Sequence, residues 1–241
     1  MSHPDARRND VRQNLAAVRE RIGHACATAD RSVDELTLIA ITKFFPASDA
    51  VLLAEAGVTD LGENRDQEAS AKVAEFAGLT DLAVRWHFVG RLQTNKARSV
   101  ARYADLVHSV DRPELAKALA AGAEAAGRQL PVLVQLSLDG PAELALDPTR
   151  ERGGAAGDEL LRLADEVAGR PSLRLAGLMA VAPLDGDPDP AFAQLAAVAE
   201  RLRAAHPDAR IISAGMSGDL EAAISHGATH LRVGTALLGR R

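Results

Sequence analysis

The sequence predicts a single (β/α)8 barrel of the TIM type with an extra N-terminal helix, an α/β domain spanning residues 1–241. Three observations carry that prediction. Eight short strand-like runs alternate with segments of helical periodicity. The first run is apolar on both faces, as a parallel strand covered by helices must be. At 241 residues and 47% hydrophobic, the chain can bury a core of that size.

In chain order, Val11, Leu15, Val18 and Ile22 recur at three- and four-residue spacing within Asp5 to Ala29, which makes this segment an amphipathic helix preceding the first strand. Strand Leu36 to Lys43 leads to helix Ser48 to Ala56, strand Val58 to Leu61 to helix Arg65 to Ala77, and strand Val84 to Val89 to helix Asn95 to Ala101. Strand Leu106 to Ser109 leads to helix Pro113 to Ala126, and strand Pro131 to Leu138 to helix Ala155 to Val167. Strand Leu173 to Met179 is followed by helix Pro190 to Ala205, strand Arg210 to Ser213 by helix Asp219 to His226, and strand His230 to Val233 by a short tail. Eight strands in this length favour closure over an open doubly wound sheet. The polar stretches Asp147 to Gly157 and Asp185 to Pro190 are the expected mobile loops.

Composition removes several function classes. A net charge of −5 leaves no basic stripe to neutralise a phosphate backbone, so nucleic acid is not the expected partner. Cys26 is the sole cysteine, which excludes an internal disulfide framework and a multi-cysteine metal site. No apolar run reaches the roughly 18 to 20 residues of a membrane span, and the start "MSHPDARRND" is too polar for a secretory signal. A cytoplasmic protein is expected, with a monomer the simplest state. His87, His108, His226 and His230 show no metal-ligand spacing beyond the last two, and glycine-rich nucleotide loops are absent.

The run "LTLIAITKFFP", Leu36 to Pro46, ends a strand in an amine. Alternation puts Lys43 on one face with Thr37, Ile39 and Ile41, at the edge where α/β folds keep their sites. Apolar surroundings disfavour an ammonium, lower its pKa and free a nucleophile for an aldehyde; the alternative is a solvated lysine at a strand end. Lys72, Lys96 and Lys117 lie in helical patterns and are expected on the surface. Near the C-terminus, "ISAGMSGDLEAAI" runs from strand through Gly215, Ser217 and Gly218 into a helix, and "LRVGTALLG" places Gly234 and Thr235 after the next strand. Phosphate sites in such barrels are built from these last two loops; read singly, Ser217 is an N-cap and the glycines a turn. Arg232 alternates inward with His230 and needs an acceptor, either a heteroaromatic ring nitrogen or a carboxylate such as Glu63. Asn64 in "DLGENRDQE" is a ligand contact or a helix cap. His87 in "WHFVGRLQTNK" reads as a histidine satisfied by hydrogen bonds inside the barrel.

Together with "LAGLMAVAP", these segments resemble the pyridoxal-phosphate homeostasis protein family over nearly the whole chain, from the first helix to Gly239. The resemblance implies a barrel like the N-terminal domain of alanine racemase, holding pyridoxal 5′-phosphate as a Schiff base. By position, Lys43 matches the cofactor lysine, Ser217, Gly234 and Thr235 the phosphate segments, Arg232 the arginine facing the pyridine nitrogen, and Asn64 and Met179 residues lining the cofactor. The chain departs from many relatives in having Phe45 where a second lysine stands, and Arg152 where a lysine precedes paired glycines. The implied role is a carrier that buffers pyridoxal phosphate and delivers it to apoenzymes. Racemisation needs an acid/base group on each face of the substrate; in alanine racemase a second domain supplies one, and here Tyr103 is the sole tyrosine. An amino-acid racemase is the competing function, and a phosphate-sugar isomerase barrel a third.

Overall fold

The computed structural model describes residues 4–138, 154–183 and 186–239. Eight parallel strands close in chain order into a barrel. They are β1 (Thr37–Ile41), β2 (Asp60–Glu63), β3 (Arg85–Phe88), β4 (Leu106–Val110), β5 (Leu130–Leu136), β6 (Leu173–Ala180), β7 (Ile211–Ser213) and β8 (His230–Val233). Closure sets Ile39 of β1 opposite Arg232 of β8. The helices are α1 (Pro4–Thr28), α2 (Ala47–Glu55), α3 (Asp66–Leu79), α4 (Ala97–Tyr103), α5 (Pro113–Ala125), α6 (Gly157–Ala168), α7 (Asp189–Ala205), α8 (Leu220–Ser225) and α9 (Thr235–Leu238).

Every expected strand is present, with shifted ends. Strand β1 stops at Ile41 because Phe44 takes a φ of 68° and the Phe45 N–H returns to the Thr42 carbonyl at 3.1 Å, a tight turn that takes Lys43 out of the ladder. A single 3-10 turn, Thr94–Lys96, delays the start of α4 to Ala97. Most of the expected loop from Asp147 to Gly157, with Arg152, lies outside the described residues.

Alternation sorts the strand residues into two layers. Outward residues such as Ala40, Leu61, Phe88, Val107, Val134, Leu178, Ile212 and Val233 join the helices in one core. Inward, Leu106, Leu133, Ala176 and Met179 form a small apolar cluster under β4 to β6. Beside this cluster and Ile39 the interior holds a buried polar group, with Asp60, His87, His108, Ser213 and Arg232 all at 5% exposure or less.

Helix α1 is tied to the end of the chain. Its stripe of Val11, Leu15, Val18 and Ile22 is buried in the outer core, worth about 1.5–3 kcal/mol per side chain as an upper estimate. Asn14 donates to the Leu237 carbonyl at 2.9 Å, Arg7 to the Leu238 carbonyl at 3.2 Å, and Arg21 to the Ser217 carbonyl at 3.2 Å. The helix outside the barrel thus holds the two loops that the sequence marks for phosphate.

Candidate functional site

Those two loops meet. The Ser217 hydroxyl oxygen accepts from the Ala236 N–H at 3.4 Å, so the turn after β7 touches the start of α9 after β8. Ser217 is therefore not the cap of the next helix, which begins at Leu220 behind Asp219. Gly234 lies against β1, where a Cβ would stand 3.2 Å from the Ile41 Cβ and 3.3 Å from the Ile41 carbonyl oxygen. A larger residue would push this backbone outward. Thr235 is exposed at the same rim.

Below them Arg232 is 5% exposed and points inward. One terminal nitrogen donates to the Ser213 hydroxyl at 2.7 Å and the other to the Ala180 carbonyl at 2.8 Å. Glu63, considered above as its partner, belongs to a different cluster. Burial lowers the Arg232 pKa to about 10, with Asp219 pulling the other way, so the guanidinium stays charged at neutral pH with neutral oxygens as its hydrogen-bond partners. From Ser213 the contacts continue to His108 Nδ1 at 2.9 Å, from His108 Nε2 to His87 Nδ1 at 2.9 Å, and from His87 Nε2 to Asp60 Oδ1 at 2.8 Å. His87 is satisfied inside the barrel as its strand position predicts. His108, Ser213 and Asp60 escaped sequence reasoning, although each shares the inward parity of its strand.

Lys43 corrects one expectation. It projects from the rim above β1 and is exposed, with its ammonium 5.7 Å from the ring centre of Phe44, itself 46% exposed. The amine is accessible rather than shielded by apolar walls, because the turn at Phe44 ends the strand before it. Lys72 corrects another. Instead of lying on the surface it is 7% exposed, pairs with Glu63 and donates to the Thr42 carbonyl at 2.7 Å. The Thr42 hydroxyl donates to the same Glu63 oxygen at 2.6 Å. A buried ion pair beneath α3 thereby anchors the residue before Lys43. Phe45 is half-buried with the Arg7 guanidinium 5.7 Å from its ring centre.

Asn64 does not cap α3, whose N-cap is Arg65. Its side-chain oxygen is buried without a hydrogen-bond partner among the described residues, at the edge of a cavity of about 630 Å³ that Phe88, Gln93, Lys96 and Arg112 also line. Met179 is 2% exposed in the inner apolar cluster. Tyr103 ends α4 and packs against the outer core, where burial and the nearby Asp66 raise its pKa above the usual phenol range. It lies outside the barrel interior.

The chain matches the family described as alanine racemase, N-terminal domain, over residues 9–241. It is 44% identical over 256 residues, covering 100% of this chain and 96% of the relative, to a pyridoxal phosphate homeostasis protein of Mycobacterium tuberculosis. The structure of PipY from Synechococcus elongatus with PLP bound superposes with a TM-score of 0.80 at 32% identity, covering 95% of this chain and 100% of that one. Alanine racemase from Corynebacterium glutamicum superposes with a TM-score of 0.70 at 14% identity over 95% of this chain and 60% of that one, a likeness of fold alone. End-to-end identity, the matched domain and a closed barrel with a buried arginine under two convergent loops lead to one conclusion: the chain belongs to the pyridoxal phosphate homeostasis protein family.

Proposed function

We propose that this protein binds pyridoxal 5′-phosphate through Lys43, holds it as a Schiff base, and serves as a carrier that buffers the cofactor and hands it to apoenzymes. The observation that carries this reading is the grouping of an accessible amine, a hydroxyl-bearing loop pair and a buried guanidinium on three adjacent strands, β7, β8 and β1. These residues fit the group. Ser217 and the backbone around Gly234 and Thr235 are suited to a phosphate. Arg232 keeps its positive charge, with neutral oxygens accepting its hydrogen bonds among the described residues, and suits a ring nitrogen as acceptor. Met179 and Asn64 are proposed to line the ring. When bound, the cofactor supplies an aldehyde that condenses with a primary amine.

An arginine that donates to a pyridine nitrogen leaves it unprotonated, which weakens the ring as an electron sink. Tyr103 sits in the helix layer and offers no acid/base group to the interior. Both favour holding over racemisation. No described helix is long and apolar enough to cross a membrane, and the proposed setting is a cytoplasmic monomer. The test is the visible spectrum of the protein incubated with pyridoxal phosphate, followed by borohydride reduction and peptide mapping. A reduced adduct on Lys43 is expected, and an adduct confined to another lysine overturns the assignment. Chiral chromatography over a panel of amino acids tests the racemase reading: Lys43-dependent inversion of any one would overturn the carrier.

A further inference from the structure

We propose that Asp60, His87, His108 and Ser213 are positioning residues that form a one-way hydrogen-bond chain, fixing the Ser213 hydroxyl so that Arg232 is held as a donor to the ring nitrogen of the ligand. The inference rests on the pyridoxal phosphate reading above and concerns residues that reading does not use.

The direction of the chain follows from its lower end. Hydrogen bonds from His87, Arg85 and Thr59 outweigh the cost of burial and hold the Asp60 carboxyl below the usual carboxylate range, so Asp60 is ionised and only accepts. The His87 Nε2 must then carry hydrogen. When His87 carries its single hydrogen on Nε2, its Nδ1 is the acceptor, and His108 Nε2 donates to it at 2.9 Å. Burial, then the charge of Arg232, keeps the His108 pKa well below its ordinary value. Neutral His108 therefore presents a bare Nδ1, which takes the Ser213 hydroxyl hydrogen. The Ser213 lone pairs face Arg232, which donates at 2.7 Å. In that state each link has one sense, and the last one decides where the guanidinium points.

The chain is a brace and not a conduit. Moving one proton along each link would neutralise Arg232 and protonate Asp60, breaking one N–H or O–H bond and forming another at every step. With Arg232 at about 10 and Asp60 below an ordinary carboxylate, that shift is uphill by more than about six decades. A proton gained by His87 would have a different effect. His87 faces Asp60, which Arg85 also holds, and His108 and His230, and its imidazolium would donate from Nδ1, reverse His108 and turn a donor toward Ser213.

The test compares two amides at one position in the full chain loaded with pyridoxal phosphate. His108→Asn places a side-chain oxygen near the Nδ1 position and can still accept from Ser213. His108→Gln places a donor near Nε2 and leaves the Ser213 hydrogen without an acceptor. We expect Ser213→Ala and His108→Gln to weaken cofactor binding about tenfold and to move the wavelength or pH midpoint of the visible band. His108→Asn is expected to stay within about twofold. A merely structural role would move both amides alike, so equal behaviour of Asn and Gln overturns the inference, as does an unchanged band in folded Ser213→Ala. Should the His108 variants fail to fold, Ser213→Thr, which keeps the hydroxyl, must retain the band that Ser213→Ala shifts. A wild-type protein that forms no Lys43 adduct refutes the underlying reading. An adduct indifferent to residues 108 and 213 refutes only the chain.

Discussion

The two sides of the barrel mouth are built differently. On the β7–β8 side the loops are braced: Ser217 touches Ala236, Arg21 holds the Ser217 carbonyl and Glu221, and Asn14 and Arg7 hold the carbonyls that end α9. On the β1 side the backbone is anchored from below by Lys72, but Lys43 and Phe44 stand in solvent, with the guanidinium of Arg65 5.4 Å from the Phe44 ring centre. The difference separates gripping from reacting. A phosphate is held by groups whose positions do not change, whereas an amine that must form and release a covalent bond has to be reached.

The largest effect should come from Lys43→Ala. It should abolish the visible band and borohydride trapping while leaving inorganic phosphate able to bind, as measured by calorimetry. If phosphate binding disappeared with the amine, the two sides would be one unit and the contrast would fail.

Next is the anchor. Lys72→Met leaves Glu63, 1% exposed, as a buried charge without its partner, which costs about 3–5 kcal/mol in the denaturant midpoint. Adding Glu63→Gln should recover much of that loss, because the desolvation penalty leaves with the charge. A single variant as stable as wild type would show that the pair does not hold the turn before Lys43.

Acid should weaken the floor under the braced side. Burial lowers the pKa of His230 from 6.5 to about 4, and holds that of His108 well below its ordinary value. The unfolded chain binds protons on these rings below pH 6.5 and the folded chain does not. Stability is therefore complete above pH 6.5 and falls as pH drops toward 4, by up to about 1.4 kcal/mol per pH unit per histidine. Asp60, whose pKa is depressed, adds its own loss only below the ordinary carboxylate range. Unfolding midpoints from pH 7 to 4 check this, and His230→Gln should flatten the slope.

Much of this was legible in the residues. Period-two and period-3.6 patterns located eight strands and their helices, and order along the chain put Ser217, Arg232 and Gly234 in neighbouring units. Parity placed Lys43 on the face of Ile39 and Ile41, but it could not show that a φ of 68° at Phe44 would lift the amine into solvent. Lys72 looked like an ordinary helical lysine because nothing local marks the side of α3 that covers β2. The interior chain was hidden for another reason. His108 and Ser213 are 105 residues apart on β4 and β7, which are not neighbours in the sheet. Only the closed cross-section brings them within a hydrogen bond.

The smallest effect tests the brace itself. Arg21 makes an ion pair with Glu221 at 2.8 Å and donates twice to the Ser217 carbonyl at 3.2 Å, but its side chain is 39% exposed. Solvent screens such a pair, so Arg21→Ala should cost at most about 1 kcal/mol of stability. Its effect on binding should be more selective, since the lost bonds free the carbonyl of the residue whose hydroxyl meets α9. We expect affinity for pyridoxal phosphate to fall about threefold to tenfold, with borohydride trapping at saturating ligand unchanged because Lys43 stands on the neighbouring β1 rim, which Lys72 rather than Arg21 anchors. A drop in trapping at saturation would mean that α1 positions the amine as well as the loops, and that the two sides are coupled through the barrel rather than built for separate tasks.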